Sequence, residues 1–103
     1  MQPPYEVVQY HAAGKPLFCK LKVQPWLCEF WPVEELAKYN VEYEVPQYAP
    51  GYFGFATSGG GEMFAVSPGG AVVCLPFIGM SPTDELHISD SWPAFVALLE
   101  NSL

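Results

Sequence analysis

Between Gly51 and Leu75 the chain reads G-Y-F-G-F-A-T-S-G-G-G-E-M-F-A-V-S-P-G-G-A-V-V-C-L. Three short apolar runs, Tyr52 to Thr57, Glu62 to Val66 and Ala71 to Leu75, are separated by two glycine clusters. Each run has the length of a strand, and each break carries residues that tolerate positive φ. The pattern predicts a three-stranded antiparallel meander. Ala71 to Leu75 is apolar throughout, as a strand covered on both faces would be.

The flanking segments follow from the same reasoning. Tyr5 to Tyr10, with Val7 and Val8, reads as a strand, and His11 to Pro16 as a turn. Leu17 to Val23 alternates, with Leu17, Cys19, Leu21 and Val23 on one side and Lys20 and Lys22 on the other. Trp26 to Trp31 is a further strand, placing Trp26, Cys28 and Phe30 together. Pro32 to about Asn40 reads as a helix, with Val33, Leu36, Ala37 and Val41 near helical spacing and Glu34 and Glu35 in its first turn. Val41 to Pro50 is a polar connector, Ser81 to Glu85 a polar loop, and Leu86-His87-Ile88 a short edge strand. Ser89-Asp90-Ser91 caps a last helix, in which Trp92, Phe95, Val96 and Leu99 follow i, i+3, i+4, i+7. The expected fold is a single α+β domain over residues 1–103. It has a mostly antiparallel sheet of about six strands with two helices packed against it.

Composition narrows the function. Eleven acids face four lysines and no arginine, for a net charge of −7. A chain without arginine is poorly equipped to read phosphate, so nucleic acid is not an expected direct ligand. The acidity suits solubility or a basic partner. The three cysteines, Cys19, Cys28 and Cys74, form no C-x-x-C pair and sit in apolar runs, which fits buried reduced thiols in a cytoplasmic protein. The first ten residues lack a secretory pattern, and no apolar run reaches membrane-spanning length.

Candidate chemistry is sparse. His11 and His87 lack partners at metal-ligand spacing. Ser58 to Gly61 resembles a phosphate loop only in glycine content, because a strand follows it and Glu62 would repel phosphate. The acid pairs Glu34/Glu35, Glu42/Glu44 and Asp84/Glu85 do not predict two carboxyls set across a groove, the arrangement glycoside hydrolysis needs. They read as solvated surface or as an acidic patch for a basic protein. Tyr43 and Tyr48, in the polar connector, are the best placed aromatics for exposed contact. No catalytic residue, metal or cofactor is expected.

Several of these stretches carry a family resemblance. They are Tyr48 to Val66 (Y-A-P-G-Y-F-G-F-A-T-S-G-G-G-E-M-F-A-V), Ala71 to Pro76 (A-V-V-C-L-P), Asp90 to Leu99 (D-S-W-P-A-F-V-A-L-L) and Trp31 to Asn40 (W-P-V-E-E-L-A-K-Y-N). Together they resemble the SUKH superfamily over roughly Trp26 to Leu99. Trp92 stands where phenylalanine is usual, and the chain opens in predicted strands where typical members open in helices. The resemblance implies a small non-enzymatic binding protein. Many bacterial members are immunity proteins that neutralise a polymorphic toxin by binding it, and such toxins are often basic nucleases. The expected partner is therefore a basic protein. The expected contact residues are Glu34, Glu35, Glu42, Glu44, Asp84 and Glu85, with Tyr43 and Tyr48 as anchors. The alternative is a regulatory or scaffolding module with no toxin partner.

Overall fold

A computed structural model describes residues 2–101; Met1, Ser102 and Leu103, which the expected domain of residues 1–103 includes, lie outside it. The architecture is α+β. Seven antiparallel strands form one curled sheet in the order β6-β5-β4-β3-β2-β1-β7. They are β1 (Phe18–Leu21), β2 (Leu27–Phe30), β3 (Phe53–Thr57), β4 (Glu62–Val66), β5 (Val72–Pro76), β6 (Leu86–Ser89) and β7 (Leu99–Asn101). Among the described residues there are four helices: α1 (Tyr5–Ala12), α2 (Leu36–Glu42), α3 (Val45–Tyr48) and α4 (Trp92–Ala97).

The meander sits where the glycines place it. Between β3 and β4, Gly59 and Gly61 take positive φ of 80° and 102°. The Ser58 hydroxyl accepts from the Gly60 and Glu62 amides and donates to the Glu62 carboxylate at 2.7 Å. The Gly60 and Glu62 amides are thus already engaged by a hydroxyl bonded to a carboxylate, and the Gly59 amide donates to the Thr57 hydroxyl. β5 is buried and interior, flanked by β4 and β6, and β6 is an edge strand.

Phe30 and Trp31 are consecutive and send their rings to opposite faces of the sheet, as successive extended residues do. On one face Tyr10 of α1 stacks on Phe30 at 4.3 Å. Phe95 and Trp92 of α4 meet Phe55 at 5.6 and 5.1 Å. On the other face Trp31 meets Tyr39 of α2 at 5.0 Å and Tyr43 at 5.9 Å. The seven-stranded ladder therefore carries an aromatic layer on each side.

α2 also repairs the sheet. β2 pairs with β3 only at Glu29↔Thr57 and Phe30↔Ala56, then leaves at Pro32. Gly54, beyond that point, has no strand partner on its outer side. The fully buried Asn40 side chain takes the strand's place. Its Nδ2 donates to the Gly54 carbonyl at 2.8 Å, and its Oδ1 accepts from the Gly54 amide at 2.7 Å. Nδ2 also donates to the Leu36 carbonyl at 2.8 Å, tying the helix to the same point. A residue larger than glycine at 54 would run into Met63.

Several sequence expectations are corrected. Tyr5 to Tyr10 is helical, so His11 lies in the last turn of α1 rather than in a loop. Pro4 starts the helix, Val7 and Tyr10, three apart, form its buried stripe, and Tyr10 packs on Phe30 and Trp92. That packing overrides the strand preference of two adjacent valines. Trp26 does not face the core with Cys28 and Phe30. It lies in the turn before β2 with φ 76° and is more than half exposed. Of the stripe expected around α2, Leu36 is buried as expected, but Val33, Ala37 and Val41 are exposed and Asn40 is buried in their stead. The polar connector contains the short helix α3. Leu99 belongs to β7, which pairs with β1, not to the last helix. The seventh strand and the two further helices extend the expected count. No helix among the described residues is long and apolar enough to cross a membrane.

Candidate functional site

α2 ends at Glu42, and the chain turns through Tyr43 and Glu44 into α3. Glu44 makes this turn with φ 57° and ψ 39°, a left-handed conformation that glycine would adopt at lower cost. The turn holds Glu42, Tyr43, Glu44 and Tyr48 at the surface. Opposite it, the loop after β5 brings Phe77, Gly79 and Met80. Together these residues line a cleft of about 520 Å³.

The walls of the cleft differ in packing and polarity. Tyr43 is braced from beneath. Its ring stacks on Trp31 at an interplanar angle of 18° and contacts Phe77 at 4.6 Å. Met80 is buried, while Tyr43, on its aromatic base, and Tyr48 remain 41% and 48% exposed. Ile78, at the tip of the facing loop, is 94% exposed. Among the described residues neither Glu42 nor Glu44 makes an ion pair; the pairs present are Lys38–Glu35 at 3.7 Å and His87–Asp90 at 2.9 Å. The cleft thus offers two free carboxylates beside aromatic surface, an arrangement complementary to an organic cation and repulsive to an anion.

The structure unites four of the eight expected contact residues, Glu42, Tyr43, Glu44 and Tyr48. The other four do not line the cleft. Glu34 and Glu35 occupy the 3-10 turn before α2, where Glu35 pairs with Lys38. Asp84 and Glu85 precede β6, and Glu85 accepts a hydrogen bond from the Tyr52 hydroxyl at 2.5 Å. That bond, with lesser burial, pushes the Tyr52 phenol up to about 12. Phe77 and Met80 were not among the expected site residues. The available signal was Phe77-Ile78, two large apolar residues placed directly after the strand-ending Pro76.

The remaining reactive groups are structural in their surroundings. All three thiols are free and buried. Burial raises Cys28 well above the usual thiol range, with Cys19 and Cys74 adding to it. Burial and then the Glu62 carboxylate push Cys74 up to about 12. Protonated, inaccessible thiols are poor nucleophiles. Among the described residues no group of three or more His, Cys, Asp or Glu side chains is placed to hold a metal ion.

His11 gives a pH-dependent stability. Its ring meets Phe30 edge-on at 6.1 Å, and its Nε2 is buried without a hydrogen-bond partner among the described residues. Burial lowers its pKa from the ordinary 6.5, partly offset by Glu34. The unfolded chain therefore takes up this proton more readily than the folded one. The stability contributed by neutral His11 is complete above about pH 6.5 and is lost as pH falls toward the depressed folded value. Urea midpoints are expected to drop from neutrality to about pH 5, above the range in which ordinary carboxylates titrate. His11→Gln should flatten that slope; an unchanged slope would refute the assignment.

No protein-family model matches the chain, and no curated protein matches it.

Proposed function

We propose that this protein is a non-enzymatic binding domain of the SUKH type, acting as a bacterial immunity protein that neutralises a basic toxin by direct, stoichiometric association in the cytoplasm. The observation that carries the reading is the cleft at Glu42, Tyr43, Glu44 and Tyr48. Two carboxylates without an ion-pair partner among the described residues and two half-exposed tyrosines line it, on a chain of net charge −7. Tyrosine is enriched in interfaces because its ring supplies contact area and its hydroxyl stays compatible with water. Net negative charge accelerates encounter with a basic partner. The leading helix α1 also removes one difference from the SUKH pattern, in which members begin with helices.

The test is co-expression with the product of an adjacent toxin-like gene. Restored growth and a complex of one copy of each protein are expected. A toxin that kills unimpeded and does not associate with the purified protein would overturn the immunity reading. Association with a basic partner that has no toxicity would favour a regulatory or scaffolding module instead.

A further inference from the structure

We propose that the cleft between Glu42–Tyr48 and Phe77–Met80 takes one arginine side chain of the basic partner, its guanidinium lying on tyrosine ring surface and paired with the Glu42 and Glu44 carboxylates. The inference rests on the protein-binding reading above and specifies what the site recognises.

Three features select this occupant. The first is charge: the cleft presents two carboxylates without counter-ions among the described residues, on a chain with eleven acids and four lysines. A cation entering it gains attraction without displacing a resident lysine. The second is shape. At about 520 Å³ the cleft lies within the range of roughly 300–1,000 Å³ typical of ligand pockets, large enough for one long side chain and its flanking backbone. The third is rigidity. Tyr43 is fixed by its stack on Trp31 and its contact with Phe77, so its ring is already positioned before anything binds. Pre-positioned surface binds with less loss of side-chain freedom.

Arginine fits these features better than lysine. Its planar, weakly hydrated guanidinium stacks on an aromatic face and can still donate in its own plane to carboxylates. A lysine ammonium is a compact, strongly hydrated point charge that gains less from ring surface. The left-handed Glu44 supports a functional assignment. A carboxylate kept where glycine would be less strained is the kind of local cost that recognition sites retain.

The experiment uses the intact protein and blocked tripeptides, so it does not depend on finding the partner. Isotope-labelled protein is titrated with Ac-Gly-Arg-Gly-NH2 and followed by NMR at the Tyr43, Tyr48 and Phe77 rings and the Met80 methyl. Saturable shifts confined to these groups are expected. Ac-Gly-citrulline-Gly-NH2, which keeps the planar head but loses the charge, should produce none. The double variant Glu42→Gln/Glu44→Gln, whose changes fall on exposed side chains, should weaken binding about tenfold or more, the equivalent of about 1.4 kcal/mol. An equal response to the citrulline peptide, an equal response to Ac-Gly-Lys-Gly-NH2, or shifts elsewhere on the surface would each overturn the proposal. Failure of the toxin to associate leaves this result unaffected, so the two readings fail separately.

Discussion

Asn40→Ala is expected to remove about 3 kcal/mol or more of stability, measured as a fall in the urea midpoint with little change in slope. Asn40 is fully buried and makes three hydrogen bonds, two of them to Gly54 in β3. Truncation strands the Gly54 amide and carbonyl away from water. Each stranded buried group costs about 1–3 kcal/mol, against a typical total stability of about 5–15 kcal/mol. Asn40→Asp separates this account from simple cavity formation. Aspartate keeps the acceptor for the Gly54 amide but sets a carboxylate against two carbonyl oxygens, at Leu36 and Gly54. The carboxyl pKa should therefore rise above its unfolded value. The variant should be less destabilised at acidic pH than at neutrality, because stability held by the protonated form is lost as pH rises. An Asn40→Ala protein as stable as the parent would show that the helix does not substitute for a strand at this point.

Asn40 also marks the limit of what sequence reasoning reaches. The meander was legible because glycine clusters at Ser58–Gly61 and Ser67–Gly70 bracket runs of strand length, and turn chemistry is local. The edge strand at Leu86 to Ser89 and the cap at Ser91, which accepts from the Ala94 amide at 3.2 Å, were legible for the same reason. The burial of Asn40 was not. A helical stripe drawn from apolar residues selects Val33, Leu36, Ala37 and Val41, of which only Leu36 is buried. The face that packs is chosen instead by a backbone vacancy 14 residues away, which no local pattern encodes. The strand expected at Tyr5 to Tyr10 fails by the same logic, because the partners of Tyr10, Phe30 and Trp92, lie far along the chain. Alternation places Trp26 inward, but the strand begins only after it.

The cleft was half legible. Glu42, Tyr43, Glu44 and Tyr48 are close in sequence and stand in a polar stretch, so exposure and charge pointed to them directly. Phe77 and Met80 complete the walls from about 30 residues further on, brought there by the ladder from β3 through β5. The acids at 34, 35, 84 and 85 look equivalent in sequence. The fold distinguishes them, since Glu35 and Glu85 are each engaged by a neighbour.

Replacing Glu42 and Glu44 together by lysine should slow association with the basic partner by about tenfold or more at low salt and flatten its salt dependence. Each change shifts the charge by two, and both fall within the cleft rather than on the distant surface. Glu34→Lys/Glu35→Lys makes the same change in net charge away from the cleft. Long-range steering should suffer in both variants, because it depends on the summed field. Only the cleft variant should also speed dissociation, since only there does the proposed site set carboxylates against a bound cation. Equal dissociation rates for the two variants would sink the cleft assignment. Unfolding is separated from this outcome by Glu44→Gly. Glycine relieves the left-handed strain at φ 57° and partly returns that gain as unfolded-chain entropy, for a net stabilisation of about 0.5–1 kcal/mol. The same substitution deletes one carboxylate from the cleft. A protein that becomes harder to unfold yet binds its partner less tightly would tie the cost at Glu44 to recognition.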